Sequence, residues 1–168
     1  MPERKTVQRA KRDKREGKAA STQAGEFVRE EMDHIREGQH GARSTKQAIA
    51  IGLSKARRAG VDLKPPRKGT TSERTRKSAK RAYARGHGAP AKQASTARRA
   101  RASEQALKRE PRRAASHTAL ARQAKSSARR RSATQRSAAA KRASSTKGHA
   151  ARSAAARKAA RTRRSHAH

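Results

Sequence analysis

Only 14 of the 168 residues are apolar and larger than alanine, and nine of these fall in one stretch from Phe27 to Leu63. A chain can build a core only where such side chains exist, so ordered packing is expected there. Leu, Ile, Val and Phe together make about 7% of the chain, well under the roughly 20% below which highly charged chains stay disordered. A globular core running the full length is excluded.

Charge divides the chain in the same way. Residues 1–66 hold 16 Lys and Arg against nine Asp and Glu, whereas residues 67–168 hold 31 against three. Beyond Glu110 there is no acidic residue in 58 positions, against 17 Lys and Arg. A chain with a formal charge of +35 repels itself and seeks a polyanion. The absence of Cys excludes disulfides and thiolate metal sites. No apolar run approaches the length of a membrane span, and the first residues lack the apolar segment of a secretory signal. The expected location is cytoplasmic and nucleoid-associated, with no membrane partner.

Local punctuation predicts two helices, 22–37 and 45–59. Ser21 or Thr22 can cap the first and Gly38 can end it. Phe27, Val28, Met32 and Ile35 share one face at helical spacing. In the second, Ser44 and Gln47 form an S-x-x-Q capping box, and Ile49, Gly52, Leu53 and Ala56 follow the i, i+3, i+4, i+7 pattern. Gly60 offers a C-cap with Val61 placed to touch Ala56, and Pro65 and Pro66 block any resumption. Gly52 permits close approach of the pair as a helical hairpin. Nine large side chains are few for such a unit, so a marginal head is expected, or one completed by a partner or a second copy through Phe27, Val28, Met32, Ile35, Ile49, Ile51 and Leu53.

The expected fold class is therefore all-α. A charged N-terminal arm, 1–20, precedes the helical hairpin head, 21–63. A Pro-containing linker, 64–70, leads into a polycationic low-complexity tail, 71–168, that is largely disordered or conditionally helical. Within the tail, Thr70 with Glu73 can start a helix ending near Gly86, and Pro90 and Pro111 can bound another across 91–109. Arg136-Ser-Ala-Ala-Ala-Lys-Arg-Ala recurs as Arg152-Ser-Ala-Ala-Ala-Arg-Lys-Ala, a degenerate repetition within a biased composition.

Catalytic constellations are not found. No phosphate-cradling glycine motif has the required spacing, and no Ser, His and acid set sits on a rigid scaffold, so a non-enzymatic protein without cofactor is expected. Glu31-x-x-His34 matches half of a helical di-metal carboxylate motif, but the second E-x-x-H is missing. It reads as a solvated helix face, with no metal expected. His166 and His168 read as a frayed tail end.

The basic tail carries the functional expectation. Lys and Arg that neutralise phosphates release condensed counterions. The candidate nucleic-acid-binding residues are Arg98, Arg99, Arg101, Arg112, Arg113, Arg129, Arg130, Arg131, Lys141, Arg142, Arg157, Lys158, Arg161, Arg163 and Arg164. Only Phe27 and Tyr83 are aromatic, and Phe27 reads as core, which leaves Tyr83 as the candidate stacking residue. Scarcity of aromatics favours backbone-directed, low-specificity binding to duplex DNA over RNA. An RNA- or ribosome-associated accessory protein and an adaptor whose head binds a protein partner are the alternatives. Helix 22–37, with Glu26, Glu30, Glu31, Asp33 and Glu37 against Arg29 and Arg36, is the one acidic element. It reads either as an ordinary solvated face with i, i+4 pairs such as Arg29 with Asp33, or as an element that pairs with tail segments, or with Lys55, Arg57 and Arg58 of its neighbour, and so competes with nucleic acid.

The run RSTKQAIAIGLSKARRAGV, residues 43–61, with the preceding FVREEM helix, resembles a family of short basic bacterial proteins catalogued as a domain of unknown function. The resemblance covers about 40 residues and implies a bacterial origin and no known activity; relatives with similar tails carry DNA-binding or histone-like labels. The tail itself looks like bacterial histone-like basic tails, but uses more Arg and Ser and lacks regular Lys-Pro-Ala repeats.

Overall fold

The computed structural model describes residues 2–89, 97–146 and 149–165. All regular structure among the described residues is helical. The chain divides into two compact units, Met1–Gln123 and Ala124–His168.

The first unit is built around a hairpin of α2 (Ala20–Arg36) and α3 (Thr45–Arg58). α2 begins before the predicted cap: Ala19 occupies the N-cap without a side-chain hydrogen bond, and Ser21 and Thr22 lie inside the helix. Its end follows the sequence. Gly38 adopts φ +82°, and the amides of Gly38 and Gln39 donate back to the carbonyls of Ile35 and His34, the Schellman arrangement. α3 opens with Ser44 Oγ accepting from the Gln47 amide at 3.3 Å, while Gln47 Oε1 accepts from the Arg43 amide at 2.9 Å. It closes at Gly60, φ +84°, with Val61 donating to the Ala56 carbonyl at 3.1 Å.

The N-terminal arm is a helix, α1 (Arg4–Arg15), packed on α2. Its inward face is Thr6, Ala10 and Asp13, spaced by four and three. Asp13 is held by Lys18 Nζ at 2.8 Å. Ala10, Ala24, Phe27, Ala56 and Val61 form one core cluster, joined at its edge by Val7, Leu53 and Leu63.

Beyond the double proline, α4 (Glu73–Gly86) packs on α3. Ser72 caps it, accepting from the Thr75 amide at 3.3 Å, so the helix starts after the predicted Thr70. Its buried residues are alanines, Ala79 and Ala82. α5 (Ala97–Lys108) follows; the predicted start of that helix near residue 91 lies outside the described residues.

Residues 107–120 complete the second core. The amides of Gly41 and Ala42 donate to the carbonyls of Leu107 and Pro111 at 2.8 and 3.2 Å. A 3₁₀ turn, Arg112–Ala115, inserts Ala114 and Ala115 among Met32, Ile35, Ala42 and Ala48, with Val28, Ile49 and Leu120 against them. Thr45 Oγ1 donates to the Ala114 carbonyl at 2.7 Å, and Arg36 Nε to that of Ala115 at 3.0 Å. α1, α4 and this turn thus cover the hairpin from within the chain.

α6 (His117–Arg129) runs across the division between the units. α7 (Ala133–Thr146) and α8 (His149–Ser165) belong to the second. α7 has a reciprocal capping box: Ser132 Oγ accepts from the Gln135 amide, and Gln135 Oε1 from the Ser132 amide. From Ala124 onward no residue is apolar and larger than alanine, so these helices have no large side chains with which to build a core.

Candidate nucleic-acid interface

The cations of the second unit whose side chains are described lie on the surface. Arg129, Arg130, Arg131, Lys141, Arg142, Arg157, Lys158, Arg161 and Arg164 are all exposed. On α8, Arg157, Arg161 and Arg164 recur at spacings of four and three and so share one face, with Lys158 beside them. Arg157 Nη2 donates to Ser153 Oγ at 3.1 Å, which steadies one guanidinium without neutralising it. The side chains of Arg99 and Arg163, and residues 166–168 with His166 and His168, lie outside the described residues.

The remaining predicted cations belong to the first unit. Arg98 and Arg101 are exposed on α5. Arg113 is exposed on the 3₁₀ turn. Arg112, its neighbour, lies over the end of α2: a β-carbon at Gly38 would meet its Nη1 at 2.9 Å. A cation there faces the negative end of the α2 dipole, so Arg112 has a structural task besides its exposure.

Tyr83 is half-buried on α4. Its hydroxyl donates to Asp62 Oδ1 at 2.5 Å, and its ring stacks on His87 with centroids 4.0 Å apart. One ring face is thereby taken. The hydrogen bond from Tyr83 holds the Asp62 carboxyl below the usual carboxylate range, and the same bond pushes the Tyr83 hydroxyl up.

The acidic helix is not a free surface. Lys55 Nζ sits 3.1 Å from Glu30 Oε1 and 2.8 Å from Glu31 Oε2. Burial alone would raise the Glu30 carboxyl, but hydrogen bonds from Thr6, Lys55 and the Glu3 amide outweigh it and hold it low. Of the neighbouring cations named with Lys55, Arg57 turns away and donates to the Leu63 carbonyl at 3.0 Å. Burial lowers the Arg57 guanidinium. With Glu30 and Glu31 buried, competition with nucleic acid could come only from the rim carboxylates. There Glu26 pairs with Arg9 and Asp33 with Arg36.

Nor is the Glu31-x-x-His34 face solvated. Glu31 is fully buried, and His34 and His40 bring ring nitrogens beside it, the ligand atoms of all three lying within 4.8 Å of one another. Glu3 joins from the start of α1, with Oε1 2.9 Å from His34 Nε2. Spacing could not have revealed His40 or Glu3, because one comes from a loop and the other from an arm placed by tertiary packing.

No protein-family model, curated protein or solved structure matches the chain. No helix among the described residues is long and apolar enough to cross a membrane.

Proposed function

We propose that the chain is a non-enzymatic, low-specificity nucleic-acid-binding protein that engages the phosphate backbone of duplex DNA, in the manner of a nucleoid-associated or histone-like protein. One observation carries the reading: between Ala124 and His168 there are 14 Lys and Arg, no Asp or Glu, and no apolar residue larger than alanine. Such a segment cannot be stabilised by a core. Its alanines and arginines favour helix, and what opposes helix is like-charge repulsion, which phosphate contact removes. The second unit is therefore conditionally helical, gaining helix on the polyanion, while the first unit carries it.

The division after Gln123 sets the experiment, because cutting the chain at Pro66 would strip α4 and residues 107–120 from the hairpin. The full chain and a chain ending at Gln123 are titrated against the same duplex DNA, duplex RNA and single strands across a salt series. Engagement of about ten phosphates gives a log–log salt slope near −9 on duplex DNA, with most of the affinity lost on truncation and helical ellipticity rising when the full chain binds. Undiminished binding by the truncated chain, or no binding by the full chain at low salt, overturns the proposal. Tighter binding to duplex RNA than to duplex DNA reassigns the ligand.

A further inference from the structure

We propose that Glu31, His34 and His40 form a binding site for one divalent transition-metal ion of the zinc class, with the Glu3 carboxylate at its exposed rim. Glu31 is fully buried, and neither of its carboxylate oxygens receives a hydrogen bond among the described residues. Buried carboxylates are normally saturated with donors, so this one is short of partners. Lys55 compensates the charge at Oε2 from 2.8 Å. Oε1 points instead toward His40 Nε2, 3.5 Å away, too far for a good hydrogen bond and close to the separation of two ligands on a shared tetrahedral zinc.

The imidazoles are arranged as ligands usually are. His40 Nδ1 lies 3.1 Å from the Gly41 carbonyl oxygen. Donation from Nδ1 to that carbonyl leaves Nε2 as the nitrogen turned to the cluster, the outer-shell device of metal-bound histidines. His34, one helical turn from Glu31 on α2, crosses the His40 ring edge-on, with centroids 6.3 Å apart. Glu31, His34 and His40 supply three ligands, and the half-exposed Glu3 lies at the edge of the cluster, Oε1 2.9 Å from His34 Nε2. Two imidazoles with carboxylate select zinc-class ions over magnesium or calcium, which take oxygen donors.

Charge supports the same occupant. The groups facing the cluster are Glu3 from the start of α1, Glu30 and Glu31 from α2, and Lys55 from α3. With neutral imidazoles these sum to −2, which one divalent cation balances. The ion would tie α2 to the α2–α3 loop beside the start of α1, independently of any nucleic acid.

The test uses the full chain carrying His166→Gln and His168→Gln, so that the C-terminal histidines do not contribute, with Zn²⁺ followed by calorimetry and Co²⁺ by its visible absorption. Expected are one equivalent of Zn²⁺ with a Kd of about 1 µM or tighter, a Co²⁺ spectrum of tetrahedral intensity, and a rise in thermal midpoint on Zn²⁺. His40→Gln and Glu31→Gln each weaken binding at least about tenfold. Helical ellipticity without metal confirms that a variant is folded. Should Glu31→Gln not fold, His40→Gln, at a loop position, decides alone. Absence of saturable binding, or His40→Gln binding within about twofold of its parent, overturns the site.

Discussion

Gly52 on α3 lies against the backbone of Val28 on α2 so closely that a β-carbon at position 52 would stand 2.7 Å from Val28 Cα and 3.0 Å from the Phe27 carbonyl oxygen. Both obstacles are backbone, so relief requires the helices to part. Gly52→Ala gains about 1 kcal/mol of helix propensity and loses about 1–3 kcal/mol to overpacking. Equilibrium urea unfolding should show net destabilisation of up to about 2 kcal/mol, and Gly52→Val, larger and without the full propensity gain, should be clearly worse. A valine variant as stable as its parent would mean that α2 and α3 do not approach as described.

Gly41 makes the same argument for the far end of the first unit. A β-carbon there would fall 1.8 Å from the Glu110 carbonyl oxygen, beside the two backbone hydrogen bonds that seat residues 107–111. Gly41→Ala should release this segment and withdraw Ala114 and Ala115 from the core. Limited trypsin digestion reads the outcome directly: cleavage after Arg109, Arg112 and Arg113 should accelerate relative to cleavage within α2 and α3. Unchanged protection would show that the segment is held by something other than this contact.

The hairpin was legible because its signals are local. Ser44 with Gln47, Gly38, Gly60 and the apolar stripe of α2 each act within one or two helical turns. The packing of α1, α4 and residues 107–120 was not, because they bury alanine and small polar side chains: Thr6, Ala10 and Asp13, Ala79 and Ala82, Ala114 and Ala115. Nothing in composition separates Ala114 from the alanines of α8; what differs is the hydrogen bond from Thr45 to its carbonyl, made across 69 positions. The acidic helix was legible in its pairing with Lys55 but not in its burial. Glu30 and Glu31 face Lys55 across the hairpin, and a charge count along one helix does not show which carboxylates turn inward.

Among the described residues, Lys55 alone of the lysines and arginines lies within ion-pair distance of these two buried carboxylates. Lys55→Met should cost about 3–5 kcal/mol by leaving them uncompensated, read as a fall in urea midpoint with chelator present. Adding Glu30→Gln and Glu31→Gln to that variant removes the stranded charge and should return stability to within about 1 kcal/mol of the parent. A triple variant no better than Lys55→Met would mean that Lys55 acts through packing of its stem.

Tyr83 is the sole tyrosine, and the chain has no tryptophan, so its ionisation can be followed by tyrosinate absorbance without interference. Donation to Asp62 raises the folded-state pKa of the hydroxyl. That contribution to stability is therefore complete below the unfolded value of about 10 and is lost as pH rises through the folded one. For Asp62 the folded value is depressed, so its contribution is complete above the unfolded value of about 3.9 and is lost as pH falls through the folded one. The linkage between α4 and the segment following α3 is thus strongest between these limits. The absorbance midpoint of the parent should lie above that of a tyrosine peptide, and Asp62→Asn should bring it down by removing the negative charge. Coincident midpoints for parent, variant and peptide would show that Tyr83 does not hold Asp62 in solution.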